Sequence, residues 1–139
     1  MADDHEVVAR WVQATCEADP VALSELLARD AVIVDEPSST RAFGPRGYLD
    51  YVSAWTGAFT MEVGANFVRP YTANVWDVSF DVQLTHHGIF TSRWGDAAPT
   101  GKTFPLTINE RLTVAHGRIA ELRVIYNLLA MLRNVGLRG

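Results

Sequence analysis

Three side chains that can take up or release a proton lie in the second half of this chain, on segments that alternate between apolar and polar residues. His86 and His87 are adjacent, so on a strand they point to opposite faces, and one of them can enter a pocket. Glu110 lies in an apolar strand, where burial would raise the pKa of its carboxyl. General acid–base catalysis needs such a group held in a pocket with a tuned pKa. These residues therefore indicate proton transfer on a small molecule.

Hydrogen-bonding side chains close the last strand-like segment. Tyr126 and Asn127 are suited to polarise a substrate carbonyl, as donors of an oxyanion hole. Asn127 is equally suited to cap the helix that follows it, and the two roles are compatible. Asp35 and Glu36 end an earlier strand, where they either face the mouth of a pocket or are simply solvated.

The last two strand-like segments are joined at His116-Gly117, which has the signature of a two-residue hairpin turn. Counting outward from this turn places Glu110 opposite Arg123. We predict an ion pair there, which is either structural or part of a pocket or a dimer interface.

The same count suggests which residues would contact a substrate. Asn109 and Arg111 share a face with Tyr126 and could bind a polar edge of the ligand. Most of the fourteen aromatic residues are expected in the core, but Trp55 and Phe59 are candidates for a flat apolar slot that holds a planar ligand.

Several classes of function are disfavoured. The single cysteine, Cys16, allows neither an internal disulfide nor a cysteine-based zinc site, and adjacent strand histidines diverge too far to form a metal pair. No phosphate loop, dinucleotide fingerprint or nucleophile elbow occurs, so we expect no cofactor and no metal. The net charge of −4 disfavours nucleic acid. The acidic start and the lack of a long apolar run predict neither a signal peptide nor a membrane span, and a cytoplasmic setting is expected.

The periodicity of apolar residues predicts one α+β domain over residues 1–139, with helices segregated from a run of antiparallel strands. Such a curved sheet, wrapped around the N-terminal helices, would leave a pocket at its open end. The predicted helices are Asp4–Ala18, Pro20–Ala28, Arg46–Ala58 and Leu128–Val135, and the predicted strands are Ala31–Val34, Thr60–Val68, Val75–Ile89, Lys102–Ala115 and Arg118–Tyr126, with a loop or twisted edge over Phe90–Pro99.

Several short motifs occur in a fixed order along the chain: Val32–Pro37, Thr85–Phe90, Pro99–Lys102, Ile108–Val114, His116–Glu121 and Leu132–Leu137. Their order resembles the SnoaL-like proteins of the nuclear-transport-factor-2-like superfamily. The resemblance covers nearly the whole chain and implies a cone with an internal pocket, usually dimeric through the outer face of the sheet. Enzymes of this kind include cofactor-independent polyketide cyclases, and related members isomerise, dehydrate, hydrolyse epoxides or assist hydroxylation.

This chain departs from that family at the positions of its usual acids. The resemblance would place an aspartate at position 124 and an aspartate or asparagine at 127. Val124 stands at the first position and Asn127 replaces the second acid, and neither side chain can usefully exchange a proton. It also implies a pocket histidine at His86, which leaves His86 or Glu110 as the base. We therefore predict an enzyme that cyclises or isomerises a hydrophobic, carbonyl-bearing small molecule. A protein that only binds a small molecule, or that assists hydroxylation, is the alternative.

Overall fold

The computed structural model describes residues 3–137 of the chain. Its elements are the helices α1 (Asp4–Cys16), α2 (Pro20–Leu26), α3 (Gly44–Ala58) and α4 (Leu128–Asn134), and the strands β1 (Leu27–Asp35), β2 (Thr40–Phe43), β3 (Phe59–Thr72), β4 (Val75–His86), β5 (Phe90–Ser92), β6 (Gly95–Ala97), β7 (Thr103–Ala115) and β8 (Arg118–Ile125).

The first two helices begin where capping chemistry predicts. The side chain of Asp3 accepts a hydrogen bond from the backbone N–H of Glu6 at 2.8 Å, and Asp19 caps α2 in the same way, with Pro20 at the first helical position. One stripe of α1 is buried, and it includes Trp11, whose side chain is wholly inaccessible. Because that stripe needs an apolar partner, α1 packs on the inner face of the sheet.

Six strands form one curved sheet in the order β2-β1-β8-β7-β4-β3, and β5 and β6 form a separate hairpin. The α+β class and the curved sheet are thus confirmed. The sheet is not purely antiparallel, however, because β1 pairs with β8 in parallel. A parallel pair requires a long crossover, which is supplied by α3 and the strands that follow it. Strand β2 and the hairpin made by β5 and β6 lie in segments for which the sequence predicted a loop or a twisted edge.

The hairpin of β7 and β8 changes register three residues from its turn. Ala115 lies opposite Arg118 as predicted, but the pairing shifts by one residue between Thr113 and Val114, as in a β-bulge. The shift places every later residue of β8 on the opposite face from the one predicted. The predicted pairing of Glu110 with Arg123 is therefore wrong.

The bulge separates Glu110 from Arg123, the two charged residues that the predicted register would pair. Glu110 lies opposite Val124, on the face that packs against the helices, whereas Arg123 lies opposite Arg111 on the outer face. There Arg123 forms ion pairs with Glu36 and Glu121, and all three side chains are more than a third exposed.

Candidate active site

A cavity of about 400 Å³ lies between the three N-terminal helices and the inner face of the sheet. Exposed residues rim it: Ala18, Thr56, Thr60, Met61 and His87. The wall is largely aliphatic and aromatic: Leu23, Tyr48, Tyr51, Val52, Trp55, Phe59, Phe80, Val82, Leu84, Ile108, Leu122, Val124 and Tyr126. Within residues 3–137, Glu110 is the acidic side chain that lines the cavity, and no lysine or arginine does so. The cavity is of the size and apolar character that small-molecule sites have.

Glu110 presents a carboxylate to this cavity from the middle of β7. Its Oε1 accepts a hydrogen bond from the indole Nε1 of Trp11 at 2.8 Å. Removal from water raises the pKa of the carboxyl to about 7, and the indole N–H opposes that rise in part. The Trp11 ring in turn packs on Tyr48, another lining residue, with 5.6 Å between ring centroids. Glu110 is thus held by α1 in an apolar wall, with a pKa suited to exchanging a proton near neutral pH.

Burial, together with the nearby charge of Glu110, raises the pKa of Tyr48 far above its ordinary value. Its hydroxyl therefore keeps its proton and can act as a donor beside the carboxylate.

A second polar cluster lies behind the cavity wall and is centred on Asp35, which is 3% exposed. Its Oδ2 accepts a hydrogen bond from the Tyr51 hydroxyl at 2.6 Å. Its Oδ1 accepts one from the Ser38 hydroxyl at 2.8 Å and one from the Ser38 backbone N–H at 3.2 Å. The Tyr126 hydroxyl lies between both carboxylate oxygens, at 3.0 and 3.1 Å. These bonds satisfy a buried carboxylate without a cation.

The two tyrosines of this cluster form part of the cavity wall. Burial raises the pKa of both Tyr51 and Tyr126 well above the ordinary value, and the charge of Asp35 adds to the rise. Both hydroxyl protons are directed at Asp35, so in this structure the two oxygens present lone pairs to a ligand.

The aromatic residues predicted to hold a ligand line the same cavity. The Trp55 ring meets Tyr126 edge-on, with centroids 5.2 Å apart, and packs against Phe59 at 5.8 Å. Phe59 is 3% exposed and also contacts His86 and Phe104, so it supports the core as well as the cavity.

The two adjacent histidines point in different directions, as predicted, but His87 is the one that lines the cavity. His86 is completely buried, and its Nδ1 lies 3.2 Å from the backbone N of Thr100 and 3.1 Å from the Thr100 hydroxyl. An Nδ1 that accepts from a backbone N–H leaves the ring proton on Nε2, which has no hydrogen-bond partner among the described residues. His86 therefore ties the segment before β7 to the end of β4.

Three other predicted site residues lie away from the cavity. Asn127 caps α4, since its side chain accepts a hydrogen bond from the backbone N–H of Ala130 at 3.0 Å. Asn109 lines an open groove on the outer face, where Asn127 also lies. Arg111 forms a two-point ion pair with Asp77, with distances of 2.7 and 3.0 Å, and its guanidinium lies 3.7 Å from the centroid of the Tyr71 ring. The guanidinium lowers the pKa of Asp77 from its ordinary value.

Three residues of the site are not among the candidates that the sequence offers. Trp11 and Tyr48 fit apolar helical stripes and therefore the core, and nothing in the pattern singles out Tyr51. A tryptophan or tyrosine on an apolar stripe carries a polar tip that requires a partner, and this was the available signal. Nothing local indicates that those partners are Glu110 and Asp35, because they lie 99 and 16 residues away.

Within residues 3–137, no three histidine, cysteine, aspartate or glutamate side chains are grouped so that they could hold a metal ion. Among the helices of the same residues, none is long and apolar enough to cross a membrane.

Comparison with known proteins identifies the family. The family model described as SnoaL-like polyketide cyclase matches residues 5–135, in agreement with the resemblance seen in the sequence. No curated protein matches the chain.

Solved structures share the fold at low sequence identity. A candidate polyketide cyclase from Pseudomonas putida has a TM-score of 0.84 at 17% identity, with 98% of this chain and 100% of that chain covered. A second one, from Xanthomonas campestris, has a TM-score of 0.82 at 18% identity, with 96% of each chain covered. AclR, a candidate hydroxylase from Streptomyces galilaeus, has a TM-score of 0.77 at 18% identity and covers 98% and 97%. At these identities the likeness establishes the fold alone.

Proposed function

We propose that this chain, which belongs to the SnoaL-like polyketide cyclase family, enolises a hydrophobic ketone and so cyclises or isomerises it. The observation that carries the proposal is Glu110, a carboxylate with a pKa of about 7 in an otherwise apolar cavity. Such a group is largely ionised just above neutral pH and still basic enough to accept a proton from carbon. The proposed substrate is small enough to be enclosed, largely apolar and uncharged at the reacting carbonyl.

In the proposed step the ionised carboxylate of Glu110 removes a proton from the carbon next to the carbonyl. The C–H electron pair becomes the C=C bond of the enolate, and negative charge develops on the carbonyl oxygen. In an isomerisation, Glu110 returns the proton to another carbon. In a cyclisation, the enolate carbon attacks a second carbonyl of the same molecule, and the proton passes to the new alkoxide oxygen. No external oxidant or cofactor is needed to balance either route.

The developing oxyanion requires a hydrogen-bond donor, and we assign this role to Tyr126. Tyr126 follows the last residue of β8 and lies diagonal to Glu110, because Val124, two residues before it, lies opposite Glu110. Diagonal neighbours on one face are about 7–8 Å apart, which suits a substrate that spans the base and the donor. Asp35 accepts four hydrogen bonds, and the bonds from Tyr126 are longer than the 2.6 Å bond from Tyr51. Tyr126 can therefore turn its proton to a ligand while Asp35 keeps its other partners.

The experiment measures exchange of α-protons for deuterium in a bicyclic ketone, 2-tetralone, followed by NMR in D₂O. We expect protein-dependent exchange that Glu110→Gln abolishes and Tyr126→Phe reduces by about 10²-fold or more. Glu62→Gln, which removes an exposed carboxylate on the outer face, is the matched control. Equal exchange with the wild type and with Glu110→Gln would refute Glu110 as the base.

A protein that assists hydroxylation is the second candidate function. It is favoured by Val124 and Asn127, which stand where the resembling cyclases carry their usual acids. Incorporation of labelled O₂ into the product would identify this function, because enolisation introduces no oxygen.

We also propose that two copies pair through the outer face of the sheet. The strand register places Phe67, Ser79, Asn109 and Ile125 in one row across β3, β4, β7 and β8, and both apolar members are about half exposed or more. Sedimentation analysis of the wild type and of Ile125→Glu tests this pairing, and a wild-type protein that sediments as a monomer would exclude it.

A further inference from the structure

The electrostatics of the cavity constrain the charge of its ligand more tightly than the proposed chemistry does. Within residues 3–137, no arginine or lysine lines the cavity, and the four ion pairs of the described chain do not include Glu110. One Glu110 oxygen accepts the Trp11 N–H, and within the described part of the chain no group donates to the other. A carboxylate removed from water requires a compensating charge or donors, so this one is satisfied on one side only.

The polar groups on the opposite wall are also hydrogen-bond acceptors. Tyr51 and Tyr126 both donate their hydroxyl protons to Asp35, so the oxygens that face the cavity are acceptors backed by a second buried carboxylate. Together with Glu110, these oxygens give the cavity three acceptors, and the Tyr48 hydroxyl is a donor beside the carboxylate. A ligand with a carboxylate or phosphate would be repelled by Glu110 and, within residues 3–137, would meet no lysine or arginine in the cavity wall.

The remaining wall suits a cation because it is aromatic. Among residues 3–137, the aromatic side chains that face the cavity are Tyr48, Tyr51, Trp55, Phe59, Phe80 and Tyr126. The electron-rich faces of such rings attract organic ammonium groups, and this attraction is strongest where water is excluded. An ionised carboxylate beside aromatic rings is the usual chemistry of an ammonium site.

We infer that this cavity binds organic ammonium ions, with the charged nitrogen beside Glu110 and the apolar body against the aromatic wall. Ammonium binding goes beyond the proposed catalysis and does not depend on it, because an ion pair with the ligand requires only the ionised carboxylate of Glu110. An ammonium ligand would occupy the base and compete with a ketone. Binding without turnover would therefore support this inference alone.

The test compares choline with its uncharged isostere, 3,3-dimethylbutan-1-ol, by NMR titration of the wild-type protein. The two probes have the same shape and differ in charge. At about pH 8.5, where Glu110 is ionised, we expect choline to bind about 5- to 30-fold more tightly. Near pH 5.5 the preference should shrink as Glu110 takes up a proton. The other titratable groups that line the cavity are His87 at the rim and the tyrosines Tyr48, Tyr51 and Tyr126. The three tyrosine hydroxyls stay protonated over this range, because burial raises their pKa.

Two variants keep the outcome interpretable. Glu110→Gln should lose the preference for choline and still bind the alcohol, which also shows that the cavity is intact. Trp11→Phe removes the hydrogen bond but leaves the carboxylate, so it should keep a preference for choline that develops at a higher pH than in the wild type. The inference is overturned if the wild type binds the alcohol as well as choline, if it binds neither probe, or if Glu110→Gln keeps the preference.

Discussion

Glu110 lies directly opposite Val124 on the inner face of the β7–β8 pair. Val124, on β8, stands where the resembling cyclases place an acid. In this chain the carboxylate is carried instead by the residue opposite Val124, on the neighbouring strand β7. The bulge next to Val114 produces this relationship, because without it Glu110 would face Arg123. The site therefore depends on one extra residue in β8.

The separation of Glu110 from Arg123 predicts the absence of energetic coupling between them. A double-mutant cycle of Glu110→Gln and Arg123→Met, measured by urea unfolding, should give an interaction energy within about 0.3 kcal/mol of zero. The matched cycle of Arg123→Met with Glu36→Gln should give about 0.2–1 kcal/mol, because that pair is in contact at the surface. A coupling above about 1.5 kcal/mol between Glu110 and Arg123 would mean that the register is wrong.

Glu110 should make the folded protein less stable as the pH rises. Its pKa is about 7 in the folded chain against 4.5 as the reference value, so the folded state binds the proton more tightly. The contribution of this proton to the free energy of unfolding, up to about 3 kcal/mol, is fully present below about pH 4.5. It is lost as the pH rises through 7. The difference in unfolding free energy between wild type and Glu110→Gln, measured against pH, should show this slope. Glu62→Gln, at an exposed carboxylate, should not show it.

Trp11→Phe should raise the pKa of Glu110 further, because the indole N–H favours the charged carboxylate. The carboxyl resonance of Glu110, followed by ¹³C NMR, should titrate at a higher pH than in the wild type. We also expect a loss of about 1–3 kcal/mol in stability from the hydrogen bond. Trp55→Phe, which changes the same cavity without this bond, is the control. A lower pKa in Trp11→Phe would contradict the assigned contact.

Asp35→Asn should destabilise the protein by roughly 2–4 kcal/mol, because a buried carboxylate that accepts four hydrogen bonds loses its charge. Tyr126→Phe should cost less, about 0.5–1.5 kcal/mol, since Tyr51 and Ser38 remain in place. Unfolding in urea measures both changes. Asp81→Asn provides the comparison, because Asp81 is exposed and accepts one bond, from Thr107, at 3.1 Å. Equal losses in Asp35→Asn and Asp81→Asn would exclude the role given to Asp35.

The sequence alone determined the fold class and the main helices and strands. Apolar periodicity and capping residues located the helices near Asp4–Cys16 and Gly44–Ala58 and the long strands that follow, because these signals are local. The order of the motifs identified the family. Glu110, Tyr126, Trp55 and Phe59, which the sequence offers as candidates, line the cavity, and Asp35 lies behind its wall. Their role in function stays a prediction.

Only the tertiary structure decided which of those residues meet. The bulge of β8 adds one residue to a segment whose apolar and polar residues fit either register, and this choice sets the neighbour of Glu110. The parallel pairing of β1 with β8 brings Asp35 to Tyr126, 91 residues later, and packing of α1 brings Trp11 to Glu110. Such contacts are fixed by the way whole elements pack, since the free energy that selects them comes from burying many side chains at once.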